Sequence, residues 1–245
     1  MNRRLATILR KLPYRARRPL YRRIGRDHLT GVVLAKGINL LRMGSEYGGW
    51  IIHPDILDCH SVAYCAGCGE DITFDLSLID RIGCPVYAFD PTPRAIEHVS
   101  SVASSNNQYC FEPVGLWDSD TTLRFYIPAN PDHVSHSAVN LQGTDEYIEV
   151  PVVRLSHIMQ RLGHDRIDLL KLDIEGAEYK VIDSILEDKI DVGMLCVEYD
   201  EWYNPLDDNW ARRISESVCN LIDSGYAMVA VDGDANYTFI HKSRL

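Results

Sequence analysis

No apolar run in this chain approaches the roughly 20 residues that a bilayer-spanning helix needs. The N-terminus lacks the apolar stretch and cleavage site of a secretory signal. Acidic side chains are missing from residues 1–26, which instead hold ten basic ones: Arg3, Arg4, Arg10, Lys11, Arg15, Arg17, Arg18, Arg22, Arg23 and Arg26. The rest of the chain carries the other 15 basic and all 35 acidic side chains, a net of about −20. Such a body repels phosphates and attracts cations, which argues against nucleic acid as a partner. Lysine is scarce, and none of the six (Lys11, Lys36, Lys171, Lys180, Lys189, Lys242) has Tyr four residues before it. The Tyr-x-x-x-Lys pair, in which lysine lowers a phenol pKa for hydride chemistry, is therefore absent. Seven cysteines, an odd number placed mostly in apolar runs, suit buried small hydrophobes in a reducing cytoplasm better than a disulfide framework. Cys65-x-x-Cys68 has metal-ligand spacing, but no second pair completes four zinc ligands.

The 245 residues suffice for one full core plus an extension. We expect a basic, partly helical N-terminal extension with a lid over 1–55 and one domain over 56–245. Leu5, Ile8, Leu9 and Leu12 fall at helical spacing beside arginines, and Pro13 ends the pattern. This helix could meet an anionic membrane surface or an acidic partner. The favoured reading is a basic arm that is docked on the acidic body or solvated. The segment Gly44-Ser45-Glu46-Tyr47-Gly48-Gly49-Trp50-Ile51-Ile52 reads as a lid over a ligand or as a plain hairpin, with the lid preferred.

From residue 61 strands and helices alternate, as in a parallel sheet covered on both faces. Strands are expected at Val62–Ala66, Val86–Phe89, Tyr109–Val114, Asp168–Leu172 and Met194–Val197. Helices are marked by Ile72, Leu76 and Ile79, by Thr92 as a cap before Pro93, by Leu155–Leu162, by Val181–Leu186 and by Trp210–Ile222. Residues 117–150 are less regular, with one or two strands. Tyr226–Val231 and Tyr237–His241 are separated by five residues only, so they must run antiparallel. A dinucleotide-binding sheet closes with parallel strands instead.

Gly67-Cys68-Gly69 follows the first strand and opens a helix, the place where backbone N–H groups meet a ligand. Asp90 ends the second strand, where an acid accepts hydrogen bonds from ribose hydroxyls. Glu70 and Asp71 disfavour a pyrophosphate by charge and suit an ammonium or sulfonium, so S-adenosylmethionine is preferred to NAD. Leu116, Trp117 and Asp118 offer an apolar wall and an acceptor for adenine. Asp168-Leu169-Leu170-Lys171-Leu172-Asp173-Ile174-Glu175-Gly176-Ala177-Glu178 reads as a buried strand running unbroken into a helix, with three carboxylates at the junction. Lys171 points away from its neighbours and is read as the ion-pair partner of these acids.

Leu170–Glu178, Ala88-Phe89-Asp90-Pro91-Thr92-Pro93 and Glu198 resemble the FkbM-type family of S-adenosylmethionine-dependent methyltransferases, over roughly residues 60–200. The resemblance implies an α/β, doubly wound, Rossmann-like class I methyltransferase sheet, mostly parallel with a C-terminal antiparallel hairpin. It also implies O-methylation of small molecules or glycans. By position, Asp90 binds ribose, Gly67 and Gly69 bind the methionine part, and Asp173 lies near the transferred methyl. The family's Asp-x-Gly-Ala-Asn-x-Gly is replaced here by Tyr64-Cys65-Ala66-Gly67-Cys68-Gly69-Glu70-Asp71, which leaves Glu70 or Asp71 as substitutes. A hydroxyl acceptor benefits from a general base. The candidates are His136, which is preferred, then His133, Asp173 and Glu198. A divalent cation on Asp173, Glu198 and a His is the less favoured arrangement. Two other functions stay open: a catalytically inert cofactor-binding scaffold and a nicotinamide-dependent enzyme.

Overall fold

The computed structural model describes residues 29, 31–127 and 144–245. Seven strands form the central sheet: β3 (Ala63–Ala66), β4 (Val86–Phe89), β5 (Tyr109–Glu112), β9 (Ile167–Leu172), β10 (Val192–Glu198), β11 (Tyr226–Asp232) and β12 (Asn236–His241). Their order is β11-β12-β10-β9-β3-β4-β5. The pairs β10–β9, β9–β3, β3–β4 and β4–β5 are parallel, while β12 runs antiparallel to both β10 and β11. The C-terminal hairpin expected from its short connection is therefore present, and β12 inserts between β10 and β11. Strands β9 and β10 read IDLLKL and VGMLCVE and are buried nearly throughout, as strands covered on both faces must be.

Side-chain alternation divides the core. Leu170 and Leu172 of β9 join Tyr64, Ala66 and Val197 on one face, beneath α3 (Leu155–Leu162), α4 (Glu178–Glu187) and α5 (Trp210–Asp223). Leu169 joins Ala63, Cys65 and Cys196 on the other, beneath α1 (Thr73–Ile82) and α2 (Pro93–Val102). The helix assignments from sequence hold to within a few residues. Four of the cysteines are buried as small hydrophobes, whereas Cys59, Cys110 and Cys219 are exposed, and all seven are free thiols.

Several expectations need correction. The strand over Asp168–Leu172 does not run unbroken into a helix, because residues 173–177 form a turn with Glu175 and Gly176 at positive φ. Thr92 caps α2 by backbone position only; its hydroxyl donates to Asp90 instead. The irregular region holds two strands, as its upper estimate allowed, but they do not join the main sheet: β7 (Thr121–Tyr126) and β8 (Tyr147–Arg154) build a separate sheet with the preceding β6 (Gly115–Trp117), in the order β6-β8-β7. The segment around residues 44–52 is a hairpin of β1 (Leu41–Met43) and β2 (Trp50–Ile52). Trp50 and Ile52 pack with Phe74 and Leu78, so this hairpin shares the core of the main unit across the expected 55/56 boundary. The amphipathic N-terminal segment, His133 and His136 lie outside the described residues. Among the described residues no helix is long and apolar enough to cross a membrane.

Candidate active site

Strand order reverses between β3 and β9, the switch point where open α/β sheets hold ligands. A cleft of about 620 Å³ opens there. Gly67, the first residue beyond β3, has φ 83°, and a Cβ on it would fall on the carbonyl oxygen of Asp173 beyond β9. Two strand exits thus pass backbone against backbone, which only glycine permits. Gly69 also has positive φ, but a Cβ there would face open space. This leaves the turn's backbone approachable on the cleft side.

Asp90 leaves β4 and is 6% exposed. One carboxylate oxygen accepts from the N–H groups of Cys68 (2.9 Å) and Gly69 (3.0 Å); the other accepts from the N–H (2.9 Å) and hydroxyl (2.7 Å) of Thr92. A carboxylate offers about four lone-pair sites, so Asp90 is fully engaged in fixing the glycine turn to α2. Asp71 does similar work. It accepts from the Ser45 hydroxyl (2.5 Å) and from the N–H (2.9 Å) and hydroxyl (2.6 Å) of Thr73. Burial raises its pKa, but these bonds outweigh that effect and hold it below the ordinary carboxylate value. Asp71 thereby ties the β1–β2 turn to the start of α1, and Glu46, Tyr47 and Gly48 of that turn line the cleft. The segment is thus a hairpin whose turn borders the cleft. Glu70 pairs with Arg94 at 3.0 Å.

Lys171 lies 3% exposed beneath the turn. Its Nζ donates to the Gly67 carbonyl at 2.5 Å and pairs with Asp173 at 3.4 Å. Burial alone lowers a lysine pKa; here Asp173 and then Asp75 reverse that and hold it well above the usual value. Asp75, from α1, accepts from the Tyr109 hydroxyl at 3.0 Å. Tyr109 also reaches the Cys68 thiol at 3.7 Å, so Cys68 belongs to this buried polar layer. Among the described residues no group of three or more His, Cys, Asp or Glu is arranged to hold a metal.

Further acids converge where β9 and β10 end. Asp173, Glu175, Glu198 and Asp200 line the cleft. Burial, followed by Asp173 and Glu175, pushes Glu198 well above the carboxylate range; burial, followed by Glu175, Glu178 and Glu198, does the same to Asp200. Behind them Glu178 is fully buried and closes the 173–177 turn by accepting from the N–H groups of Ile174 and Gly176, both at 3.1 Å. Burial raises its pKa from 4.5 to about 8. A carboxyl with a raised folded pKa favours the folded state at low pH, and this advantage is lost as pH rises from about 4.5 through about 8. We expect the melting temperature of Glu178→Gln relative to the parent to rise between pH 5 and pH 8.5, as ionisation of the buried carboxyl begins to penalise the parent. Parallel melting curves at the two pH values would refute this.

The sequence-derived candidates divide accordingly. Gly67, Gly69, Glu70, Asp71, Asp90, Leu116, Asp173 and Glu198 border one cleft. Trp117 and Asp118 do not line it: Trp117 packs against the core of the small sheet and Asp118 pairs with Lys180 at 3.3 Å. Pairing of β6 with β8 carries them away from the position expected for adenine, while Phe125 of β7 lines the cleft instead. Phe125, Tyr203, Asn204 and Asn236 were not anticipated. Asp200 was not either, although its place two residues beyond the acid ending β10 is a signal of the same kind as Asp173.

Comparison with known proteins places the chain in a family. The model of the methyltransferase FkbM domain matches residues 62–217. The probable methyltransferase-like protein 24 of Homo sapiens is 31% identical over 138 residues, which is 55% of this chain and 31% of that protein; the Rattus norvegicus protein gives the same figures. The chain therefore matches about a third of the length of these curated relatives. Among solved structures, Aeropyrum pernix fibrillarin with bound S-adenosyl-L-methionine is similar with a TM-score of 0.44 and 10% identity, covering 87% of this chain and 85% of that one. With the family model spanning most of the sheet and every cleft-forming strand end from β3 to β10, the chain belongs to the FkbM methyltransferase-domain family.

Proposed function

We propose that the protein is an S-adenosylmethionine-dependent methyltransferase that acts on a hydroxyl of a small molecule or sugar. The observation that carries this reading is the convergence of Asp90, Asp173 and Glu198, the ends of three strands, with the Gly67–Gly69 turn on one cleft at the switch point. The cofactor fits the residues present: the lining holds eight acids against Lys171 alone, the open side of Gly69 admits a ligand, and a net-positive sulfonium compound suits that charge. When bound, it supplies a methyl group already activated for displacement. Gly67, Gly69, Asp71, Asp90 and Leu116 would hold it, with Asp90 and Asp71 acting through the loops they fix.

What the chain must add is position and a proton acceptor. Glu198 is partly buried among other acids, and its raised pKa makes its carboxylate a stronger base than an exposed one. We assign it the hydroxyl proton, with His136 and His133 as the alternative bases on the segment between β7 and β8. The acidic mouth disfavours nucleic acid, and the free thiols suit the cytoplasm. The basic residues 1–26 complement the acidic body.

Release of S-adenosylhomocysteine over a panel of hydroxyl compounds tests the activity. Glu198→Gln is expected to lower kcat by about 10²–10⁴-fold with S-adenosylhomocysteine affinity unchanged. Normal turnover in that variant, together with a collapse in His136→Ala, would move the base to His136. Excess chelator is expected to leave the rate unchanged.

A further inference from the structure

Asp200 opens the short 3-10 turn Asp200–Trp202 after β10. It is 6% exposed and borders the cleft, yet its Oδ2 is buried without a hydrogen-bond partner. Directly behind, Oε2 of Glu178 is also buried and unpartnered. Lys171, among the described residues the one basic side chain lining the cleft, is committed to Gly67 and Asp173. A buried carboxyl left without a donor costs folding free energy, so this end of the cleft is built for a group that arrives with the ligand. A hydroxyl brings a single donor and no charge; an ammonium brings three donors and a positive charge. The mouth beside it carries Tyr47, 85% exposed, and Tyr203, 42% exposed, whose ring faces favour a cation.

We infer that Asp200, with Glu198, binds a protonated amino group on the acceptor, so that the substrate class is an amine-bearing hydroxy compound such as an amino sugar. This rests on the methyl-transfer reading, which assigns the Gly67–Asp71 end of the cleft to the cofactor. Burial raises the pKa of both carboxyls and an added cation lowers it, so binding of an ammonium favours proton release and carries its own signature.

Calorimetry on the full chain saturated with S-adenosylhomocysteine, at low ionic strength and pH 7, compares glucosamine with glucose and ethanolamine with ethylene glycol. Each amine is expected to bind at least about tenfold tighter than its hydroxyl counterpart, with proton release seen as a heat that depends on the buffer's ionisation enthalpy. Asp200→Asn is expected to bring the pairs within about twofold of each other. Glu198→Gln, at a less buried position, carries the same test if Asp200→Asn does not fold. Equal affinities within both pairs would overturn the inference, as would a preference that survives both variants. Failure of S-adenosylhomocysteine to bind would strike the methyl-transfer reading instead; the amine comparison on the cofactor-free chain would still decide this one.

Discussion

Gly67→Ala is expected to lower the melting temperature by about 10 °C and to abolish S-adenosylhomocysteine binding, while Gly69→Ala stays folded. Both residues have positive φ, and a side chain there costs about 1–2 kcal/mol by itself. The difference lies in what each Cβ meets. At Gly69 nothing stands within 4 Å; at Gly67 the methyl lands on the Asp173 carbonyl oxygen. That oxygen is backbone at the exit of β9, and β9 is hydrogen-bonded on both sides in the sheet, so it cannot step aside cheaply. Overpacking adds about 1–3 kcal/mol and occasionally more. Any relief must separate the ends of β3 and β9, which also breaks the contact of Lys171 with the Gly67 carbonyl. Thermal melting and calorimetry on the two variants read this directly, and a Gly67→Ala protein with near-parental melting and binding would show that the close approach is not needed.

The second large effect is expected at Lys171. Lys171→Met keeps most of the side-chain volume and removes the charge beneath the cleft. Breaking a buried pair by deleting one partner costs about 3–5 kcal/mol, because the remaining charge stays in a poor solvent. Here Asp173 loses its partner at 3.4 Å, and Asp75, 2% exposed with the Tyr109 hydroxyl as a donor, loses the positive charge that favours its ionised form. Burial already raises the Asp75 pKa and Lys171 opposes that rise, so the substitution drives it further up. The sign follows: an acid whose folded pKa lies above its unfolded value favours folding in acid and loses that advantage as pH increases. The deficit of Lys171→Met relative to the parent should thus be smaller at pH 5 than at pH 8. Urea unfolding at both values measures it, and a deficit independent of pH would mean that Asp75 is not the group left stranded. The Gly67 carbonyl also loses its donor, so weaker S-adenosylhomocysteine binding is expected alongside.

Much of the architecture was legible because it follows from local rules. Apolar runs of β9 and β10 can only be strands covered on both faces, and the few residues between β11 and β12 leave no room for a parallel crossover. Acids at strand ends were legible for the same reason: once the strands are placed, Asp90, Asp173 and Glu198 fall at the sheet's ligand edge. Sequence reasoning weakened where contacts are long-range. Trp117 and Asp118 follow a strand in sequence, but β6 leaves the main sheet to pair with β8, which turns them away from the cleft. The unbroken strand-to-helix junction failed because Glu178 reaches back to the N–H groups of Ile174 and Gly176 and stabilises a turn that periodicity does not register.

What the sequence determined by itself is the order of elements, the antiparallel closure and the acids Asp90, Asp173 and Glu198 at the strand ends, since each depends on neighbours a few residues apart. The tertiary structure alone decided how those acids are used. Asp90 spends its lone pairs on the glycine turn and Thr92, Lys171 pairs with Asp173 within the field of Asp75 from α1, and Oδ2 of Asp200 is buried without a donor. A carboxylate's charge state, basicity and free lone pairs are set by the groups that surround it, and here those groups come from strands and helices far apart along the chain.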